Sequence, residues 1–256
     1  MRLQGSSTKF RSIVTGLCFA AYVICAASPL RAEPVSREQV ISRLAAGVRD
    51  LSNLEAPGVD LSGVDFQGAR LFGANLEGAD LSNAKLARCN LDLSILRNAV
   101  LVQADLREAS LFAVLLIKVN LSGADLRGAR LMSNLEHANL EGANLAGLKG
   151  GADMRNQPMG LIRIMLSHAR LKGAKLTDAD LSRGDLSYAD LREADLTRAN
   201  LRRAKLTGAD LSGAALDEST LTDAEIHNAI FTGATGLSSV RGLETTKGRE
   251  TATFDP

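Results

Sequence analysis

The sequence predicts an all-β solenoid, in which short strands wind into stacked coils around one apolar core. Three observations predict this fold. A large apolar residue, usually leucine, returns at every fifth position over most of the chain, as at Leu76, Leu81 and Leu86. A small residue, usually alanine, lies two positions earlier, and Asp or Asn stands between the two. Aromatic residues make up only 4% of the 256 residues and Trp is absent, so leucine and alanine must supply the core.

The five-residue period fits neither common secondary structure. Apolar residues recur near every 3.6 positions in an amphipathic helix and at every second position in a strand. A residue at every fifth position advances by about 500° around an α-helix and gathers on no face. On extended backbone, the small and the large residue point the same way, while the residue between them points to solvent. The polar or Gly residues that follow suit a turn. One such unit cannot bury its own leucine, so successive units are expected to stack as coils.

Residues 1–32 have the composition of a secretory signal peptide. The basic residues Arg2, Lys9 and Arg11 come first, and an apolar stretch follows at 12–27. Small residues then lead to Ala32, which is a suitable last residue before cleavage. A retained membrane anchor is the alternative, although roughly 16 apolar residues fall short of the ~20 that span a bilayer. We therefore expect an exported protein, periplasmic or secreted from a bacterium, with no stable membrane insertion once the signal is removed.

Charge and cysteine content point to no particular partner. The net charge of the whole chain is +1. Removal of residues 1–32 takes away four basic residues and no acid, so the net charge becomes −3. Neither value indicates a nucleic-acid partner. The same removal leaves Cys89 as the one cysteine, so no internal disulfide is possible.

Residues 33–58 are predicted to form an N-terminal cap with a short helix. Ser36 and Gln39 have the spacing of a capping box, and Gly47 is a suitable helix terminator. Val40, Ile41 and Leu44 share one face of this helix and are expected to cover the first coil. Such a cover is needed because an open coil exposes unpaired backbone groups and core leucines.

The repeats predict a first stack at 59–145 and a second at 161–233. Between them, residues 146–160 include four Gly and one Pro and predict an irregular loop or a joint. This segment is either a tolerated insertion or a binding loop on a rigid scaffold. Met159 or Ile164 in a small-residue position predicts a local distortion of the coil. Residues 234–256 are polar and lack the repeat, so we expect a disordered tail.

The repeated units resemble the A(D/N)LXX signature of the pentapeptide-repeat family, as in ADLSN, ADLRE, ANLEG, ADLTR and ANLRR. The resemblance covers about residues 59 to 233. It implies a right-handed quadrilateral β-helix with four units in each coil. It is specific for the fold and does not by itself indicate a function.

The outward positions between Asn90 and Asn120 turn apolar. A solvated rod has no need for such a strip, so it predicts a partner surface. With four units in each coil, Ile95 would stack on Leu115, and Phe72, Phe112 and Met132 would form one column. The strip is covered either by the segment 146–165 or by another protein, including a second copy in a homodimer. Its residues are Ile95, Val100, Val102, Phe112, Leu115 and Ile117.

The sequence predicts no catalytic, cofactor or metal site, and we expect the protein not to be an enzyme. His137, His168 and His227 occupy outward positions far apart in the register of the repeat, and no pair has metal-ligand spacing. Cys89 occupies a small inward position and is interpreted as part of the core. The many Asp residues follow from the repeat, so pairs of carboxylates carry no signal of acid–base chemistry.

These observations favour a non-catalytic, exported solenoid that acts as a protein-interaction or structural scaffold. The alternative, implied by the resemblance, is a DNA mimic that binds type II topoisomerase (gyrase), as quinolone-resistance members of the family do. That function requires a predominantly acidic face, whereas basic residues such as Arg70 and Lys85 replace the usual Asp or Asn. A third hypothesis is an enzyme or a nucleic-acid binder that acts through the basic cluster within 192–205. Glu193 and Asp195 interrupt this cluster, and no aromatic residue lies beside it to stack on a base. We therefore expect no nucleic-acid partner.

Overall fold

The computed structural model describes residues 34–151 and 163–255. The signal peptide predicted for residues 1–32 lies outside the described residues, as does most of the loop predicted for 146–160. None of the helices in the described parts of the chain combines the length and the hydropathy that a membrane-spanning segment requires.

The N-terminal helix, α1, spans Arg37–Ala45. Ser36 and Gln39 form a capping box, in which the Ser36 side chain accepts from the Gln39 backbone and the Gln39 side chain accepts from the Ser36 backbone. Val40 and Leu44 are buried against the first coils. Ile41 was expected beside them, but 43% of it is exposed. It follows Val40 by one position, about 100° around the helix, and therefore lies on the flank.

After α1, the chain winds into a four-sided coil. Parallel β-bridges join residues 20 positions apart, and successive bridges follow at every fifth residue, so each coil has four sides. We number the sides in chain order: side 3 carries the ladder from Asp60 to Thr253, and side 4 the ladder from Asp65 to Thr235. The ladder of side 1 is Asp50, Arg70, Asn90, Ser110, Arg130, Lys149, Asp180, Asn200, Thr220 and Arg241. The ladder of side 2 is Glu55, Asn75, Ile95, Leu115, Asn134, Met165, Asp185, Lys205, Glu225 and Lys247. The predicted all-β solenoid is thus confirmed.

Leucine and alanine fill the interior, as the repeat predicts. The inward leucines from Leu61 to Leu221 and the alanines before them are almost fully buried, and Phe66 and Phe231 are the largest side chains of this core. At the regular corners, the second residue after the inward leucine has positive φ, for example Gly73 at 66°. In that turn the Leu71 carbonyl accepts from the Ala74 backbone at 3.0 Å, which is the arrangement of a type II turn.

Two longer strands run around the corner between sides 1 and 2. β1 spans Ser110–Leu115 and β2 spans Arg130–Asn134, and the two pair in parallel. Their register shifts between Phe112 and Leu115, because β2 has one residue fewer on the way to side 2. The structural consequence is that bridges from this coil to the next, such as Asn120 to Asn139, join residues 19 positions apart.

One continuous stack replaces the two stacks that were predicted on either side of residues 146–160. Asn134 bridges Met165 and Lys149 bridges Asp180, so the ladders continue across a step of 31 residues. The chain thus has 11 residues more than the usual step between Lys149 on side 1 and Met165 on side 2. At the base of this insertion, the Gly150 carbonyl accepts from the Ile164 backbone at 3.2 Å. Residues 146–149 belong to the coil because inter-coil hydrogen bonds hold them.

The predicted disordered tail is wrong, because residues 234–255 form a further coil. Its period is six residues: Gly236, Gly242 and Gly248 recur at this spacing, and all three have positive φ. Short 3-10 helices at Leu237–Ser239 and Leu243–Thr245 lie within it. Hydroxyl oxygens at the same spacing accept backbone N–H groups of the preceding coil, in the pairs Ser239 with Glu218, Thr245 with Asp223, and Thr251 with Asn228. The five-residue period of the preceding repeats therefore does not extend into this coil.

Candidate interaction surface

Most of the departures from the regular repeat lie at the corner between sides 1 and 2, called the 1–2 corner below. Phe72, Leu93 and Phe112 lie at this corner in three successive coils. In the next coil, β2 has one residue fewer than β1, next to Met132. The 11-residue insertion falls in the sequence at the same corner, between Lys149 and Met165. The next two coils carry arginines at this corner instead of apolar residues. Their arginines are Arg183, Arg202 and Arg203.

The structure divides the six residues of the predicted apolar strip among adjoining sides. Ile95 and Leu115 are bridge partners on side 2, and Phe112 lies beside them at the 1–2 corner. Ile117 lies at the corner between sides 2 and 3, and Val100 lies on side 3. Val102 lies at the corner beyond side 3 and does not join the group on side 2. All six are half-buried.

A shallow groove of about 310 Å³ lies next to Leu115 on side 2. The groove lies where β2 is one residue shorter than β1. At this point the Met132 side chain is turned inward and is only 6% exposed, so it leaves space on the surface. The Ser133 hydroxyl lies behind it, accepting from the Val114 backbone at 3.0 Å and donating to the Leu111 carbonyl. The residues that line the groove are Ala113, Val114, Leu115, Met132, Ser133, Asn134, Arg163 and Met165.

Within the described residues, the segment 146–165 lines this groove rather than covering it. On the side 2 ladder, Met165 lies two coils after Leu115, with Asn134 between them. Leu148 was expected to contribute to a cover, but it points into the core and is 1% exposed. Met154 and Ile162, the other two residues expected in a cover, lie outside the described residues.

Polar groups order the rim of the apolar surface at Phe112. The Arg130 guanidinium stacks over the Phe112 ring, with 4.3 Å between its carbon and the ring centroid. The Asp92 carboxylate accepts from the Phe112 backbone at 2.9 Å and from the Ser110 hydroxyl at 2.6 Å. The aromatic ring is therefore held in place by neighbours in the preceding and following coils.

The expectation that all three histidines lie far apart is wrong for one pair. The His137 and His168 rings stack with centroids 5.0 Å apart, and Tyr188 continues the stack at 5.1 Å. The 31-residue step across the insertion places His168 directly after His137 at one corner. Across the described residues, no group of three or more His, Cys, Asp or Glu side chains is placed to hold a metal ion. His227 does not belong to this stack.

Cys89 is inward, as the sequence predicts, and is 1% exposed. Its thiol donates to the Phe66 carbonyl at 3.1 Å. Burial raises the pKa of Cys89 to about 11, so the thiol stays protonated at neutral pH. A protonated and buried thiol is a poor nucleophile, which supports the interpretation of Cys89 as a core residue.

Many of the outward carboxylates are paired with arginine. Arg107 binds Asp105 at 2.6 Å, and its hydrogen bonds hold the pKa of Asp105 below its ordinary value. Arg192 binds Asp190 in the same way, with the same effect on the pKa of Asp190. The basic cluster predicted within 192–205 is thus divided, because Arg192 faces side 3 while Arg202 and Arg203 lie at the 1–2 corner.

Two solved structures are similar to this chain in sequence. A solved structure of HetL, a pentapeptide repeat protein involved in heterocyst differentiation regulation from the cyanobacterium Nostoc sp. strain PCC 7120, is 30% identical to this chain. The alignment covers 84% of this chain and 98% of that chain, with a TM-score of 0.49. QnrB1, a plasmid-mediated fluoroquinolone resistance protein, is 19% identical over 77% of this chain and 91% of that chain, with a TM-score of 0.40.

No curated protein matches the chain. The family model for pentapeptide repeats matches it in eight copies, at residues 50–78, 74–111, 94–131, 165–203 and 199–235. These matches cover more than half of the sequence and coincide with the bridged coils. The chain therefore belongs to the pentapeptide-repeat family.

Proposed function

We propose that this protein is an exported, non-catalytic rod that binds another protein through the apolar surface at the 1–2 corner and side 2. The observation that carries the proposal is the pairing of Ile95 with Leu115 on a ladder whose other residues, apart from Met165, are polar. The groove beside Leu115, lined by Met132 and Met165, extends this surface. Contiguous apolar surface of this kind is typical of protein contacts.

A binding role suits the construction of the rod. Backbone hydrogen bonds between coils hold every unit, so side chains on the ladders keep fixed positions relative to one another. Preorganised side chains lose little conformational entropy when a partner binds. The buried, protonated thiol of Cys89 is a poor nucleophile, which is compatible with a function without catalysis.

Export is part of the proposal and depends on the composition of residues 1–32. The alternative function, a DNA mimic that binds topoisomerase, requires an extended acidic face. Ion pairs such as Arg107 with Asp105 and Arg198 with Asp178 place positive charge among the carboxylates instead. This mixture of charges favours the protein-binding rod over the mimic.

Site-specific photocrosslinking in the host cell tests the proposal. A photoreactive phenylalanine analogue replaces Phe112, and in the matched control it replaces Gln103, which is exposed at the corner between sides 3 and 4. We expect a discrete crosslinked product from position 112 and none from position 103. Equal products from both positions, or none from position 112, would contradict a partner at this surface. The mass of the product distinguishes a second copy of the chain from a different protein.

A further inference from the structure

A second groove, of about 370 Å³, lies at the 1–2 corner beyond the insertion. Arginines from two consecutive coils dominate it, with Arg183 in one coil and Arg202 and Arg203 in the next. No carboxylate lines it. Its lining is Ser182, Arg183, Asn200, Arg202 and Arg203.

The positive charge of this groove is only partly neutralised. Arg203 Nε lies 3.2 Å from Asp223 Oδ2, while Arg183 and Arg202 form no ion pair with any described residue. The nearby Asp180 carboxylate already accepts from the Ser182 backbone and from Asn200 Nδ2, both at 3.0 Å. The groove is therefore lined mainly by hydrogen-bond donors and carries net positive charge.

Another corner groove of the same rod shows that arginines here are usually matched by carboxylates. That groove, of about 240 Å³, is lined by Arg88, Arg107 and Glu108, together with Gln67 and Ala87. Glu108 binds Arg88 at 2.9 Å, and Arg107 is bound by Asp105 at 2.6 Å. At the 1–2 corner, by contrast, Asp223 pairs with Arg203, while Arg183 and Arg202 have no ion-pair partner among the described residues.

The backbone holds the arginines of the second groove at defined positions. The Arg183 N–H donates to the Arg202 carbonyl at 2.9 Å, so the two residues lie on adjacent coils, about 4.8 Å apart along the rod. Arg183 and Arg203 share the positive-φ position of the corner, with φ of 61° and 57°. Both side chains line one groove, so guanidinium groups from neighbouring coils can contact the same small anion.

We propose that this groove is a binding site for a tetrahedral oxyanion of the phosphoryl class. The planar guanidinium presents paired N–H donors that match two oxygens of a phosphate group, and it stays charged at all physiological pH values. The site goes beyond the proposed protein-binding surface and does not depend on it, because it uses residues on the other side of the insertion.

Calorimetric titration of the mature protein with inorganic phosphate and with glycerol phosphate, at constant ionic strength, tests the site. We expect saturable binding that weakens by about tenfold for each guanidinium removed, in Arg183→Gln and Arg202→Gln. Arg192→Gln is the matched control, because it removes the same charge from an arginine already bound to Asp190. Acetate is expected to compete only weakly, because its two oxygens can pair with one guanidinium, whereas a phosphate group presents further oxygens to the second.

The two ligands distinguish the source of the phosphate. Binding of inorganic phosphate alone assigns the groove to the free ion, and equal binding of glycerol phosphate assigns it to phosphoryl groups of larger molecules. Absence of saturable binding overturns the proposal, as does equal weakening in Arg192→Gln or equal competition by acetate. Circular dichroism melts of each variant establish that the fold is retained, since all three substituted side chains are on the surface.

Discussion

Ile164 and Gly184 are complementary neighbours in the core. Ile164 occupies a position where the repeat places alanine, and Gly184 occupies the corresponding position of the next coil. A Cβ added to Gly184 would lie 2.9 Å from Ile164 Cγ2 and 2.9 Å from the Leu181 carbonyl oxygen. The distortion expected from the large side chain is thus absorbed by a glycine in the adjoining coil.

Gly184→Ala is therefore expected to lower the free energy of unfolding by about 1–3 kcal/mol through overpacking. Denaturant melts of the single and double variants measure this. In an Ile164→Ala background the same substitution should cost less, because the Cγ2 atom is gone. An equal cost in both backgrounds would show that the contact with Ile164 is not the cause.

Two buried hydroxyls of the core should be dispensable. Ser94 and Ser219 occupy small inward positions, and neither hydroxyl oxygen has a hydrogen-bond partner among the described residues. Because a buried polar group without a partner costs about 1–3 kcal/mol, Ser94→Ala should raise the free energy of unfolding by roughly 1 kcal/mol. Thermal and denaturant melts provide the measurement.

Ser133→Ala is the matched control for this prediction. Ser133 is also buried, but its hydroxyl accepts from Val114 and donates to Leu111, so its removal should destabilise the protein. A loss of stability in Ser94→Ala comparable to that in Ser133→Ala would mean that the Ser94 hydroxyl has a partner after all.

Leu115→Asp should disrupt the contact proposed at side 2. A carboxylate placed in a buried contact loses its hydration without compensation, at a cost of several kcal/mol. If the partner is a second copy, sedimentation velocity should show a folded monomer where the parent is a dimer. Thr220→Asp, at an outward ladder position between Asn200 and Arg241, is the control and should leave the mass unchanged.

The same variant distinguishes the remaining alternative. If residues near the insertion cover Leu115 within one chain, Leu115→Asp should lower the melting temperature and increase proteolysis in the segment 146–165. A variant unchanged in mass, partner crosslinking, melting temperature and proteolysis would show that side 2 is bare surface.

The final coil should contribute to stability, in contrast to a disordered tail. Phe254 stacks on Phe231 with centroids 4.9 Å apart, and Thr253 bridges Ile230. We expect Phe254→Ala to cost about 2–4 kcal/mol, at the lower end for a core phenylalanine because the side chain is only partly buried. Thr232→Ala, at an exposed corner, should stay within about 0.5 kcal/mol. Equal melts for Phe254→Ala and the parent protein would contradict an ordered final coil.

The sequence alone determined which side chains face inward. The repeat of Leu76, Leu81 and Leu86, with Ala two positions earlier, assigns core and surface correctly. Each unit is a short strand followed by a turn, and the alternation of side chains within it is set by its own five residues. The same local logic placed Cys89 in the core and the apolar strip outside. The columns expected within unbroken repeats, such as Ile95 with Leu115, were also correct, but they needed the four units in each coil that the family resemblance supplied.

Only the tertiary structure decided which residues stand side by side across the breaks. His137 meets His168 after 31 residues, and Thr220 meets Arg241 after 21, whereas the regular repeat predicts 20. These pairings depend on the total number of residues in each coil, and a deletion, an insertion or a change of period alters that number without changing the local pattern. Inward and outward placement is set within five residues, but lateral neighbours are set by the hydrogen bonds between coils, which a linear pattern does not contain.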